Sequence, residues 1–231
     1  MLIATIVISS VVLLWLLIRF SKHKSLYPFM SVKHNFGKRR DSFRKTLALL
    51  SDRQATILVE TGTARLGLKG AKSNGASTLI FTTWAKANHA LLHSVDISRR
   101  SIAAAKQEVE NHGLSDYVIW HQQDSLAFLS GFEEAVDFLY LDSYDYHKQD
   151  TAIQIASQQH HLAEFKAIES RLHRGSLVLI DDCDLPNGGK GKLVISYMLE
   201  RGWIILLNDY QVLLSKLIGT APGQLRDEVS L

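Results

Sequence analysis

Thr56-Ile57-Leu58-Val59-Glu60-Thr61-Gly62-Thr63 reads as a short apolar strand that ends in a carboxylate and passes into a glycine turn. That pattern belongs to the first strand of a doubly wound α/β sheet, whose loops at the carboxyl edge meet the ligand. Three later runs end the same way: His93-Ser94-Val95-Asp96, Phe138-Leu139-Tyr140-Leu141-Asp142 and Leu177-Val178-Leu179-Ile180-Asp181-Asp182. Carboxylates that recur at strand ends gather on one edge of a parallel sheet, where such folds bind ligands.

Working outward, strands are expected over 56–60, 92–96, 117–121, 136–141, 176–181, 203–207 and 210–215. Helices are expected over 41–51 (with Phe43, Leu47 and Leu50 on one face), from Gly75 to about Leu91, over 98–111, briefly after Asp124, from about Lys148 to His173, and over 191–201. Ser98 suits an N-cap and Gly113 a C-terminal stop. The polar stretch 64–74 reads as a long loop. Strands alternating with helices predict a Rossmann-like three-layer α/β sandwich around a mainly parallel seven-stranded sheet.

The chain has 231 residues, 46% of them hydrophobic, enough for one α/β domain and an appendage. The single cysteine, Cys183, excludes an internal disulfide and a cysteine-based zinc site. Leu2 to Ile18 carries no charge; as a helix it would span about 26 Å against a bilayer core of about 30 Å. No basic residue precedes it and no small-residue cleavage site follows, so an uncleaved anchor is expected rather than a signal peptide. Residues 19–53 hold ten Lys and Arg against Asp41 and Asp52, a net +8 that leaves −5 for the rest of a +3 chain. Positive charge on this flank alone predicts a single-pass membrane protein with its domain facing the cytoplasm, the basic collar lying against anionic lipid. The collar has little aromatic interleaving, so no nucleic-acid partner is expected. The division is 1–20 as anchor, 21–53 as basic linker and helix, and 54–231 as the functional domain.

The strand-end residues suggest roles. The acid ending the second strand of a Rossmann-like unit bonds ribose hydroxyls. Asp96 follows Glu60 by 36 residues, against roughly 20 in the dinucleotide fingerprint, an excess about the size of the 64–74 loop. The GxGxxG pattern is absent, which counts against a nicotinamide dehydrogenase. Gly70 to Ser77 has the glycine spacing of a phosphate-binding loop, but Ala76 stands where its lysine is required. Glu60-Thr61-Gly62-Thr63 with Gly75-Ala76-Ser77-Thr78, then Ser94-Val95-Asp96-Ile97-Ser98, then Gln123-Asp124-Ser125, resemble in order and spacing the motifs of class I S-adenosylmethionine-dependent methyltransferases. The likeness covers roughly residues 54–216 and is closest to the metal-dependent O-methyltransferases, the cephalosporin-hydroxylase and sugar O-methyltransferase set.

The resemblance implies S-adenosylmethionine as cofactor, held by Glu60, Gly62, Thr63, Gly75, Ser77, Thr78, Asp96, Ile97, Asp124 and Ser125. Glu60 suits the methionine end, Asp96 the ribose and Asp124 the adenine amino group, with helix capping as the plain alternative for the two aspartates. Asp142, Asp181 and Asp182 would repel unless a cation or proton joined them, and oxygen ligands select Mg²⁺, Mn²⁺ or Ca²⁺. In the resembling enzymes the matching positions hold a divalent metal that orients the acceptor hydroxyl; Mg²⁺ is the expected ion, an acidic edge without metal the alternative. The pattern departs from the family at the base, where Asp145 stands in place of His or Lys. Asp142, Asp145, His147 and His161 are the candidate catalytic residues, with Lys148 and His160 nearby. Pro186 to Lys192 reads as a mobile glycine-rich loop over the site, its lysines placed for an anionic substrate or for solvent. The expected function is a membrane-anchored O-methyltransferase acting on a small-molecule or glycan hydroxyl, against an NAD(P)-linked oxidoreductase or a non-catalytic tethered binding module. Oligomeric state is open.

Overall fold

A computed structural model describes the backbone of residues 2–23 and 26–216; the side chains of 2–4, 6, 22 and 23 lie outside the description, as do Met1, residues 24–25 and 217–231. Helix α1 (Leu2–His23) precedes a short 3-10 turn and α2 (Arg40–Asp52), then β1 (Ile57–Thr61), α3 (Ala71–Asn74), α4 (Ser77–Asn88) and β2 (Leu91–Val95). The chain continues through α5 (Arg99–Asn111), β3 (Val118–His121), α6 (Ser125–Gly131), β4 (Val136–Leu141) and α7 (Thr151–Ile168). It closes with β5 (Leu172–Ile180), α8 (Lys192–Leu199), β6 (Trp203–Asn208) and β7 (Val212–Lys216). The sheet has seven strands in the order β3-β2-β1-β4-β5-β7-β6. Strands β1 to β5 pair in parallel, while β7 runs antiparallel to both β5 and β6. The mainly parallel Rossmann-like sheet expected from the sequence is therefore present.

Alternate residues of each strand feed opposite cores, as the two-residue strand period requires. Leu58, Phe138, Tyr140, Leu177 and Leu179 pack with Phe43, Leu47 and Leu50 of α2 and with Ile80, Phe81 and Trp84 of α4. Val59, Leu139, Leu141, Val178 and Ile180 pack with Phe128 of α6, Phe165 of α7 and Val194 and Met198 of α8. A sheet buried on both faces needs apolar residues at consecutive positions, which is why these strands read as continuous apolar runs. The strand order reverses between β1 and β4, and a crevice opens beyond the carboxyl ends of the strands at such a point.

Several expectations change. Among the described residues no helix is long and apolar enough to cross a membrane. The part of α1 whose side chains are described without a break, residues 7–21, spans only about 22 Å and contains Ser9, Ser10, Arg19 and Ser21. This overturns the expected single-pass transmembrane helix over 1–20 and the membrane localisation with a cytoplasm-facing domain. Four of the ten collar cations are engaged by the domain. Arg39 is buried, Lys45 donates to the Leu206 carbonyl at 2.7 Å, Arg53 donates to Gly175 and Ser215, and Lys38 pairs with Asp184 at 2.7 Å. Last, the long helix ends at Ile168, and His173 lies in β5, which begins four residues earlier than expected. Within the 64–74 stretch, a 3-10 turn (Gly67–Gly70) and α3 replace the expected loop.

Candidate functional site

The crevice has two lobes that share Gly62, Asp96, Ile97 and Ser143. The first lobe, about 390 Å³, is lined by Thr63, Arg65, Asp142, Asp145, Lys148, Asp182, Lys190, Arg39 and Tyr210 among others. The second, about 330 Å³, adds Val95, Asp124, Ser125, Tyr144 and His160. Gly62 sets their junction. It sits at φ +83°, donates its N–H to the Val95 carbonyl at 2.9 Å, and a Cβ there would meet the Asp142 carbonyl oxygen at 2.4 Å. Only a residue without Cβ lets the first loop cross so close to the end of β4.

Asp96 follows β2 and accepts N–H bonds from Thr63 at 3.1 Å and Ser98 at 2.7 Å. It thereby ties the first loop to the start of α5, whose N-cap is Ser98 as expected. Asp124 caps α6 through the Ala127 N–H at 2.9 Å and still lines the second lobe. Ser125 lies beside it, its hydroxyl 3.2 Å from His160 Nε2, and Ile97 is exposed across both lobes. The hydroxyls of Thr63 and Ser143 are buried without a hydrogen-bond partner among the described residues. Both residues line the crevice, and a buried polar atom without a partner is a place for ligand or water.

Four expected contacts lie outside this lining. Glu60 is fully buried, and its carboxylate accepts hydroxyl bonds from Ser77, Thr78 and Ser94 at 2.5, 2.7 and 2.8 Å. Burial raises its pKa to about 7 against the lowering effect of the three hydroxyls. Ser77 and Thr78 are thus taken up in holding Glu60 beneath the loop, and Thr78 also accepts the Ala64 N–H at 2.9 Å. Gly75 ends α3 at φ +80°, next to Arg39 rather than to the crevice. These residues brace the first loop from below.

Asp142, Asp181 and Asp182 do converge, with one oxygen from each lying within 4.8 Å of the others. Two protein cations share the space. Lys190 Nζ lies 2.5 Å from Asp142 Oδ1 and 3.3 Å from Asp182 Oδ2. Arg39 donates from Nε to Asp181 at 2.8 Å and from Nη2 to Asp182 at 3.0 Å, with Nη1 on the Ser73 carbonyl at 2.9 Å. The phenol of Tyr140 donates to Asp181 at 3.0 Å, that of Tyr210 donates to Asp182, and the Arg39 guanidinium stacks 4.7 Å over the Tyr210 ring. Burial raises the Asp142 carboxyl well above the usual range; Lys190 opposes this, while Asp181 and Asp182 reinforce it. Asp182 goes the other way: burial would raise it, but Lys190, Tyr210 and Arg39 together hold it below its ordinary value. Three carboxylates are donors suited to a hard divalent ion. Here they are already neutralised to within one charge by the lysine and the arginine, and the residues present do not fit such an ion beside Lys190.

The candidate bases separate. Asp145 lines the first lobe, exposed and 2.8 Å from Arg65. His147 is exposed and outside the lining; its carbonyl accepts from Gln154 at 3.0 Å. His161 is buried on the inner face of α7, its Nδ1 2.7 Å from the Ser157 carbonyl and its Nε2 without a partner among the described residues. Burial lowers its pKa to about 4. The neighbouring Glu164 turns to His160, at 3.3 Å, and this contact raises the His160 pKa. The glycine-rich segment is hydrogen-bonded to α7. Gln158 donates to the carbonyls of Asn187 and Gly189 at 3.1 and 3.0 Å, and Asn187 donates to Gln154 at 2.7 Å. Arg39, Tyr140, Ser143 and Tyr210 were not anticipated. Arg39 is 142 residues from Asp181 in sequence and reads there as one more collar charge, so no local signal marks it.

Residues 72–183 match a family model described as a methyltransferase domain. Among solved structures, the chain resembles an S-adenosylhomocysteine-bound methyltransferase of Podospora anserina, with a TM-score of 0.57 at 15% identity over 87% of each chain. It also resembles an S-adenosylmethionine-dependent O-methyltransferase of Thermotoga maritima, with a TM-score of 0.53 at 13% identity, covering 78% of this chain and 66% of the other. At such identities the likeness is one of fold. No curated protein matches the chain in sequence.

Proposed function

We infer that this chain, which has the class I methyltransferase fold and a methyltransferase-domain match over residues 72–183, transfers a methyl group from S-adenosylmethionine to a hydroxyl oxygen of a small-molecule or glycan acceptor. The observation that carries the reading is the two-lobed crevice hinged on Gly62, with Asp96 at the junction. In this reading Asp96 meets the ribose. Ile97, Asp124 and Ser125 meet the base in the second lobe, and the unpartnered hydroxyls of Thr63 and Ser143 meet the methionine end. Glu60, Ser77, Thr78 and Gly75 serve the cofactor indirectly, by fixing the loop. Bound there, the sulfonium supplies an electrophilic methyl carbon. Asp142, at the end of β4 in the first lobe, is the base that takes the proton the acceptor hydroxyl gives up. Asp145, with Arg65, borders the acceptor side. The domain is proposed to occupy 54–231, with α2 of the preceding 21–53 segment packed onto it. The oxygen preference follows the Thermotoga relative's designation and the oxygen-rich first lobe. No observation favours the nicotinamide alternative.

The test is calorimetric titration of the full chain with S-adenosylhomocysteine, alongside Asp96→Ala and Asp96→Asn. Saturable binding is expected, with affinity falling about tenfold or more in Asp96→Ala, since a hydrogen bond to a charged acceptor contributes about 1.5–3 kcal/mol. Equal affinity in both variants and the native protein would remove Asp96 from the cofactor site. Binding of NADH in place of S-adenosylhomocysteine would replace the whole reading.

A further inference from the structure

We propose that Lys190, seconded by Arg39, is the resident cation of the acidic cluster, standing between Asp142 and Asp182 where a divalent metal would otherwise sit, so that the cleft takes up no metal. The inference deepens the methyltransferase reading and rests on it for its meaning, but its geometry is independent of any cofactor.

Three observations carry it. First, Lys190 is buried, yet it lines the first lobe, and its Nζ contacts carboxylates from two different strand ends. A divalent ion bridging Asp142 and Asp182 would draw on the same two carboxylates and compete with the ammonium for them. Second, the backbone presents Lys190 rigidly. Its N–H donates to the Asp182 carbonyl at 3.2 Å, and Gly189 at φ +55° approaches so closely that a Cβ would lie 2.0 Å from that same oxygen. Gln158 holds the Gly189 carbonyl from the other side. A lysine that merely drifted in from solvent would need none of this. Third, the far side of the cluster is closed as well, because Arg39 spans Asp181 and Asp182 and is itself buried. Two cations against three carboxylates leave one negative charge, which does not compensate the desolvation of a third, divalent cation. An ammonium has three N–H donors. Two face Asp142 and Asp182, and the third remains for an oxygen in the lobe, so the group offers an acceptor hydrogen-bond donation rather than Lewis acidity.

Mn²⁺ titration of the full chain, read by electron paramagnetic resonance, tests this without any turnover assay. The native protein is expected to leave Mn²⁺ free at millimolar concentration. Lys190→Met removes the charge at similar length and is expected to gain one Mn²⁺ per chain, at least about tenfold tighter than any native uptake. Lys190→Arg keeps the charge and should remain without Mn²⁺. A stoichiometric site in the native chain that disappears in Asp142→Asn would overturn the proposal. So would a Lys190→Met protein that stays folded by circular dichroism and still takes up no Mn²⁺. Should Lys190→Met not fold, Lys190→Gln serves as the neutral variant. S-adenosylhomocysteine binding measured on the same samples keeps the two readings apart, since loss of that binding with an unchanged Mn²⁺ pattern counts against the methyltransferase reading alone.

Discussion

Gly62 and Asp96 occupy the same few ångströms of the crevice, yet the sequence spoke more clearly about them than about Glu60. A glycine after a strand-end carboxylate signals a close backbone approach, and the approach is there, to the Asp142 carbonyl. Asp96 ends its strand with its carboxylate on the loop it was expected to serve. Glu60 has the same signature, but its neighbours decide otherwise: three hydroxyls from α4 and β2 wrap it inside the fold, and pattern alone does not say which way a strand-end side chain turns. The histidines were unreadable for the same reason. His160 and His161 are adjacent on α7, and one borders the second lobe while the other is sealed in the core. At this scale the sharpest consequence concerns Gly62. Gly62→Ala places a methyl against backbone at both Asp142 and Ser143 and forces an alanine to φ +83°. A destabilisation of about 2 kcal/mol or more is expected in urea unfolding. Loss of S-adenosylhomocysteine binding is expected to accompany it, and a variant with native stability and affinity would mean that the loop has room to move.

Elements were the most legible level. Six of the seven strands begin within two residues of their expected positions, because a strand buried on both faces is a continuous apolar run with turn residues at its ends. β5 starts before the apolar run that marks it, since His173, Arg174 and Gly175 carry no apolar signal and lie at a register shift, between Leu172 paired with Val136 and Leu177 paired with Phe138. Phe43, Leu47 and Leu50 mark α2 in the sequence, but no pattern marks the turn before it. Gly37–Arg39 brings a buried guanidinium to Asp181, and that juxtaposition exists only once α2 has docked on the sheet. The ion pair therefore links the entry segment to the strand-end edge. Arg39→Met leaves Asp181 buried among carboxylates, and breaking a buried pair from one side costs about 3–5 kcal/mol. The double variant Arg39→Met with Asp181→Asn is expected to recover part of that loss, giving a coupling of at least about 1 kcal/mol in a double-mutant cycle by urea unfolding. Additive losses would show that the arginine acts through packing on Tyr210 rather than through its charge.

For the molecule as a whole, two buried groups on opposite faces of the sheet should tilt stability against pH in opposite directions. Glu60 titrates near 7 when folded and near 4.5 when unfolded, because burial disfavours its charge. Between those values the folded state holds a proton that the unfolded state has lost, so stability falls as pH rises. His161 titrates near 4 when folded and near 6.5 when unfolded, again through burial. Between those values the unfolded state holds the extra proton, so stability falls as pH drops. Each slope is about 1.4 kcal/mol per pH unit where the group is fully out of register. Over the shared window from about pH 4.5 to 6.5 the two contributions cancel, and above it only the Glu60 slope persists, to about pH 7. Replacing one group exposes the other. Glu60→Gln is expected to make the protein lose stability toward pH 4.5 relative to the native chain, by up to about 2–3 kcal/mol across the window, and to remove the decline between pH 6.5 and 7. His161→Gln is expected to do the reverse, losing stability as pH rises from 4.5 to 7. Urea unfolding at half-unit pH steps for the three proteins measures these differences directly, with each variant compared to the native chain at the same pH so that titrations common to all three drop out. Parallel curves for native protein and Glu60→Gln would show that the three hydroxyls around Glu60 stabilise its charged form as well as water does, and that the carboxylate beneath the first loop is ionised at neutral pH.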